Sequence, residues 1–435
     1  MRENDRLGAN AVEIAIVVVV AIGATLIPLT ASRTTLDSFR LPKELAFRAE
    51  AITLLVLAVW WALSKRRSWH FEWRRAEMTL PLIIIAWSAL TALTSTNRAL
   101  SAGSLLTIVA AAVIFIATMA AAQSVRIVIV DVVMIACCVN AIVVMLQEAK
   151  IWNPFKFGEE ATAHLSSTAF IGNPNDVGTF LLVPALAAAT MVVVTRGARR
   201  WIYAAATVVL LGGIVASATR TAIIAYGLSV LVLAFGRSWR AALAIVALVV
   251  VIVFIATSSR TTLGRSLRTL PQAAREGRYD VLFSERLPLF LSAIEMVRDH
   301  PLVGVGPGCF AFHHMRYRLK IQREYPPQWT KGWPQNASQT HNDHLQIAAE
   351  EGLPGYALFL GALGVGLAAA QRARRRDREE DDRRLEAAFA RVFLPPFVAG
   401  VAVLALAQFP LEIAAPRLML LTFGGLCVRW SRPNA

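Results

Sequence analysis

Twelve apolar blocks of about 16–22 residues, each with few charges, run through the chain and decide its class before any motif is read. A helix rising about 1.5 Å per residue needs about 20 apolar residues to cross about 30 Å of hydrocarbon. Lipid offers the peptide groups no water, so each block must satisfy its own amides, as an α-helix does. Spans are predicted at 11–30, 45–63, 78–95, 100–121, 127–146, 176–195, 201–217, 221–236, 241–257, 351–370, 391–409 and 414–429. Composition agrees: 56% of 435 residues are apolar and 17% charged, with a mean hydropathy of +0.54. Soluble domains carry about 45–50% and about 25%. The expected fold class is an all-α polytopic membrane protein of about 12 transmembrane helices.

The formal charge of +15 invites a nucleic-acid partner, because basic surfaces attract phosphate polymers. The placement of the arginines argues for no nucleic acid: most flank apolar blocks, where cytoplasmic loops concentrate Lys and Arg. One set of loops holds Arg2, Arg6, Lys65, Arg66, Arg67, Arg199, Arg200 and the basic run ending at Arg391; the opposite short loops hold about eight basic residues. That asymmetry and the even number of spans predict cytoplasmic N- and C-termini. The block after Arg6 is too long for a signal peptide and lacks a small-residue cleavage site, so it reads as a retained first span. Cys137, Cys138 and Cys427 lie inside apolar blocks and Cys309 stands alone, so neither a disulfide framework nor a metal spacing follows.

Two segments stand outside the spans. The mixed-charge run 371–391 reads as a solvated cytoplasmic loop. The stretch 258–350 is expected on the external face, with amphipathic helical pieces such as 286–297. Long segments translocate largely regardless of charge, and loops on a rigid scaffold are where sites are built. The expected organisation is 1–257 for helices one to nine, 258–350 as a periplasmic catalytic segment between the ninth and tenth spans, and 351–435 for helices ten to twelve. No inverted repeat of the transporter kind is visible.

Arg220 lies at an external junction of two spans with almost no loop. It reads either as an interfacial arginine snorkelling to headgroups or as an anion site, since guanidinium donates bidentately to phosphate. Arg286 opens the amphipathic helix of the external segment, either paired with Glu285 or Glu295 or free for an anion; Lys43 and Arg48 could join a basic cluster or anchor the interface. The densest polar group is Thr340, His341, Asn342, Asp343, His344 and Gln346, followed by Glu350 and Glu351 before the tenth span. Two histidines three apart share a helical face, yet no metal motif completes a ligand set. An imidazole near neutrality suits general-base work; a structural histidine is the alternative. Gly304, Gly306 and Gly308 around Pro307 read as a tight turn rather than a phosphate loop. Asn175 or Asp176 reads as a helix cap. His313 and His314 either face the site or sit on the surface, and the Asn336 sequon is assigned nothing.

Four pieces in order resemble the O-antigen ligase and polymerase superfamily: GNPNDVGTFL at 172–181, ATRTAIIAYG at 218–227, ERLPLFLSAIEMVRDHPLVGVGPGCF at 285–310 and HNDHLQIAAEEGLPGYALF at 341–359. The resemblance implies a helical, GT-C-like fold with a lipid-facing cavity roofed by the external segment. It implies transfer of a glycan from undecaprenyl pyrophosphate to an acceptor hydroxyl outside the cytoplasm, with no metal and no cofactor. Arg220 and Arg286 match its pyrophosphate-holding arginines, and His341 its general base, giving inversion at the anomeric carbon. Asn342, Asp343, His344, Glu350 and Lys43 are supporting candidates, with Asp343 placed to orient the histidine. The partners implied are an undecaprenyl-pyrophosphate-linked glycan, a lipid A-core oligosaccharide and membrane lipids, at the periplasmic face of a bacterial inner membrane. A polymerase or a protein Ser/Thr oligosaccharyltransferase shares these motifs. A polysaccharide or lipid transporter would instead place charges deep in several spans, and Arg48 and Asp131, the near-membrane candidates, lie close to span ends.

Overall fold

The structure is a computed structural model and describes residues 3–64, 75–121, 127–155, 167–236, 238–240, 262–330, 337–375 and 384–432. The described residues are helical, without strands. Among the described residues eight α-helices precede the segment 258–350: α1 (Glu3–Leu26), α2 (Arg40–Ser64), α3 (Ala76–Thr94), α4 (Arg98–Ala121), α5 (Val128–Glu148), α6 (Pro174–Val194), α7 (Gly197–Ala216) and α8 (Arg220–Phe235). That segment contributes α9 (Thr262–Arg275), α10 (Tyr279–Leu282), α11 (Leu287–Asp299), α12 (Phe310–Glu324) and α13 (Pro327–Thr330), and α14 (Asp343–Arg375), α15 (Leu385–Leu404) and α16 (Ala414–Trp430) follow. Among the described residues nine helices are long and apolar enough to cross a membrane, and α8 is a shorter apolar one. The expected ninth span 241–257 lies outside the described residues, as do residues 376–383 of the charged run and Asn336.

Helix α6 is the axis of the bundle. It is buried almost all round, as an apolar helix without a polar face must be, and it packs against α5, α7, α8, α15 and α16. Its cap is Asn173, whose side chain accepts from the Asn175 amide, with Pro174 at the first helical position where no N–H is needed. The cap is therefore neither Asn175 nor Asp176, which leaves the Asp176 carboxylate free for other work. Gly178 lets the α7–α8 turn approach closely: a Cβ there would lie 2.6 Å from the Thr219 side chain, and Thr219 Oγ1 donates to Pro174 O at 3.0 Å. That contact seats Arg220, the next residue.

Two span boundaries differ from expectation. The eleventh helix ends at Leu404 rather than at 409, because Pro410 drives its predecessor out of helical geometry; residues 405–413 become a loop that returns to the site. The tenth begins at Asp343, about two and a half turns of helix before a break at Gly352, where φ is 71°. A Cβ at Gly352 would meet Leu302 O at 2.2 Å, so the break locks the span to the segment 258–350. There α11 and α12 share a small core of Leu289, Met296, Phe310, Tyr317 and Ala349. Charge also runs deeper than expected: Glu50, midway along α2, is buried against Gly23 of α1.

Candidate functional site

Arg220 begins α8, half-buried, and its Nη2 donates to Ser284 Oγ just ahead of α11. Two residues on, Arg286 donates through Nη1 to Ala407 O in the 405–413 loop; it pairs with neither Glu285 nor Glu295. Glu295 instead accepts from Tyr325 Oη at 2.6 Å and binds Lys320 at 3.0 Å. Burial, then the neighbouring Arg220 charge, push the Arg286 guanidinium down to about 10. Two segments far apart in sequence thus bring like charges together without neutralising them.

His341 closes the group from the α14 side. Its ring stands edge-on to Phe409, centroids 4.4 Å apart, and Nδ1 is buried without a hydrogen-bond partner among the described residues. Burial, then Arg286 and Arg40, bring its pKa from 6.5 to about 3. The structure therefore gathers Arg220, Arg286 and His341 in one neighbourhood, and adds two residues that sequence reading did not single out. Arg40 lies over the opposite partner of the histidine, its guanidinium 5.8 Å from the Phe409 ring centroid, and binds Asp176 Oδ2 at 2.9 Å. Arg40 carries no reading from the sequence, and Asp176, although within the GNPNDVGTFL piece, reads there only as a cap.

The backbone marks the same place. Among the described non-glycine residues φ is positive at six, and four of them, Ala218, Ser284, Glu285 and His341, precede or form the three predicted site residues. Left-handed backbone costs such residues about 1–3 kcal/mol and gathers where function over-determines the chain.

The supporting candidates sit behind this group. Asn342 Oδ1 accepts from the Leu345 amide at 3.0 Å and caps α14. Asp343 does not touch His341; its Oδ2 accepts from Leu411 N at 3.2 Å and its amide donates to Ala405 O at 2.9 Å, fixing the loop that carries Ala407 and Phe409. His344 faces Tyr356 Oη at 3.2 Å and Ala402 O at 3.3 Å. It shares no helical face with His341, which lies ahead of α14 with φ 57°. Glu350 accepts from the amides of Gly308 at 2.7 Å and Phe310 at 3.0 Å, while Val305 and Gly306 donate to Ala349 O and Glu350 O. The glycine-rich turn thus gives its donors to the protein and holds none for a phosphate. Lys43, 1% exposed, donates to Thr30 O at 2.5 Å, Phe39 O at 3.1 Å and Phe170 O at 2.6 Å; all three ammonium protons are engaged. Arg48 pairs with Glu44 at 3.2 Å and donates to Thr107 Oγ1 at 2.8 Å. His313 bonds Thr96 Oγ1 at 2.8 Å, and His314 is buried against Phe310.

Arg40 also lines the mouth of a cavity of about 750 Å³ between α2, α3, α4, α14, α15 and α16. Its wall is charged near Arg40, Glu412 and Arg417 and becomes apolar along Ile84, Ala111, Phe115, Leu363, Phe397 and Leu421. Acidic and basic side chains both line it, among them Asp37, Glu44 and Glu412 with Arg40, Arg48 and Arg417, and its apolar shaft suits a lipid chain. Among the described residues no three His, Cys, Asp or Glu side chains are grouped to hold a metal ion.

No curated protein matches the chain. Residues 205–360 match the family model described as O-antigen ligase, a stretch holding Arg220, Arg286 and His341. Over that stretch, within an all-helical, multi-span fold, the chain is similar to the O-antigen ligase family.

Proposed function

We propose that this chain is an O-antigen ligase, moving a finished glycan from undecaprenyl pyrophosphate to a sugar hydroxyl of lipid A-core. One observation carries the reading: two guanidiniums bonded to neutral acceptors and an imidazole whose Nδ1 is unpartnered among the described residues meet around Ala407 and Phe409, next to Arg40, which also lines a cavity with a long apolar wall. Arg220 and Arg286 hold the diphosphate. An imidazole nitrogen of His341 takes the proton of the acceptor hydroxyl, whose oxygen bonds to the anomeric carbon from the face opposite the phosphate. The bond from that carbon to the bridging oxygen breaks, and its electron pair stays on the diphosphate. Preorganised cations at the leaving oxygen stabilise the charge that develops there, and direct displacement inverts the anomeric centre. The polyprenyl tail occupies the apolar shaft. No metal or cofactor takes part in this scheme.

The basic-loop asymmetry supports cytoplasmic termini, which puts 258–350 and the site on the periplasmic side of a bacterial inner membrane. The test is transfer by purified protein from a lipid-linked donor to lipid A-core, with His341→Ala, Arg220→Ala and Arg286→Ala alongside. All three variants should insert and fold yet lose most activity. Wild-type turnover by His341→Ala removes the base. Elongation of a second lipid-linked repeat in place of core modification makes the enzyme a polymerase, and glycan on a Ser or Thr peptide makes it a protein glycosyltransferase.

A further inference from the structure

We infer that Asp176 is a built-in counter-anion of this site, occupying Arg40 until a substrate phosphate arrives and limiting how tightly the diphosphate product is held. The inference rests on reading Arg220, Arg286 and His341 as a polyprenyl diphosphate site. Asp176 lies in the first turn of α6 with its side chain 2% exposed, and it binds Arg40 at 2.9 Å. It is not there to cap the helix, since Asn173 does that. Its charge reaches Arg286 as well as Arg40, and Arg40 shares the Phe409 ring with His341. The basin therefore holds three guanidiniums and one buried carboxylate. Of the other acids that line the neighbouring cavity, Asp37 is exposed and accepts from the Phe39 and Arg40 amides, and Glu412 faces Arg417.

Three positive charges less one leave two, and a diphosphate diester carries one ionised oxygen on each phosphorus. The donor is matched. Transfer changes the ligand: once the sugar–oxygen bond breaks, the lipid diphosphate is a monoester whose terminal phosphate takes a further charge, with a second pKa of about 6. The carboxylate repels this product more than the donor, because repulsion scales with ligand charge. An uncharged residue at 176 would leave three cations facing three anionic charges and hold the product.

The probe is farnesyl diphosphate, a product-like monoester, titrated into full-length protein in lipid nanodiscs. Asp176→Asn should bind it about tenfold tighter than wild type. Steady-state transfer should fall by a similar factor and show a burst, because product release becomes limiting; Asp176→Glu should restore both. The neutral pair Arg40→Gln/Asp176→Asn should return affinity to near the wild-type value. Arg40→Gln alone should bind more weakly than that double variant, a comparison that serves even if Asp176→Asn does not fold. A salt bridge that merely ties α2 to α6 gives the opposite pattern. There Asp176→Asn binds the probe no better than wild type, shows no burst, and removing the carboxylate from Arg40→Gln recovers nothing; that result overturns the inference. Failure of the wild-type protein to bind farnesyl diphosphate would overturn the diphosphate reading itself, and the inference with it.

Discussion

His341 stands so close to the guanidiniums that its basicity depends on whether they are occupied, and pH should therefore separate kcat from kcat/KM. In the empty site burial, then Arg286 and Arg40, hold the imidazole at about 3. A general base must be neutral, so activity is lost as pH falls through its pKa. Because kcat/KM reports the free enzyme, its acid limb lies near that value and no loss is expected between pH 8 and 5. A bound diphosphate neutralises the guanidiniums. A unit charge about 7 Å away at an effective dielectric of about 20 is worth about 2.4 kcal/mol, or about 1.7 pKa units. Offsetting both charges should raise the imidazole by about two to three units, and the acid limb of kcat lies that far above the limb of kcat/KM. Arg286→Gln removes one charge permanently. Its kcat/KM limb should move up by about 1.7 units, and kcat should fall about 10²-fold with the loss of a donor to the leaving oxygen. The assay follows a fluorescent glycan from lipid diphosphate to acceptor between pH 4.5 and 8. A wild-type kcat that stays flat down to pH 4.5, or a kcat/KM of Arg286→Gln that stays flat to the same pH, would refute the coupling.

Lys43→Met should act on stability rather than chemistry: it strands three carbonyls of buried backbone, at about 1–3 kcal/mol each where water cannot reach, and a melting curve in detergent reads the loss. Gly352→Ala forces a Cβ to 2.2 Å from Leu302 O at φ 71°; unfolding should occur several degrees lower, with the segment 258–350 more open to protease. Asp343→Ala releases the 405–413 loop, so kcat should fall about tenfold or more while the helical circular dichroism is kept; equal activity would detach that loop from catalysis. Ala111→Trp fills the apolar shaft and should weaken binding of a long polyprenyl diphosphate while leaving farnesyl diphosphate affinity within about twofold.

The spans were legible because a bilayer imposes length and apolarity directly on sequence, and eleven of the expected twelve coincide with described helices. Boundaries slipped where local rules overrode hydropathy, at Pro410 and at Gly352. Arg220, Arg286 and His341 each left a structural reading open, and the family resemblance, not the local pattern, singled them out. Asp343 was misread: adjacency suggested that it orients His341, but the left-handed backbone at 341 turns the ring away from α14, and the carboxylate meets Leu411 instead. Lys43 looked like a free cation because the three carbonyls that bind it belong to segments brought together only by folding. Arg40 and Asp176 are 136 residues apart; nothing in either neighbourhood announces the other.

A site built to grip a diphosphate must store cations before the ligand arrives, and like charges in a half-buried basin repel. Asp176 offsets part of that charge at Arg40, and neutral acceptors orient the rest: Ser284 Oγ accepts a hydrogen bond from Arg220 and Ala407 O one from Arg286. Such acceptors orient a guanidinium without cancelling its charge, so its remaining donors stay available to an anion. The acceptors are themselves held, Ser284 by the strained turn ahead of α11 and Ala407 by the Asp343-braced loop. Electrostatic stabilisation of a leaving group is large only when its donors need not reorganise during the reaction. On the proposed reading, the strain at Ala218, Ser284, Glu285 and His341 would serve catalysis: backbone conformations disfavoured one by one hold Arg220, Arg286 and His341 in one neighbourhood.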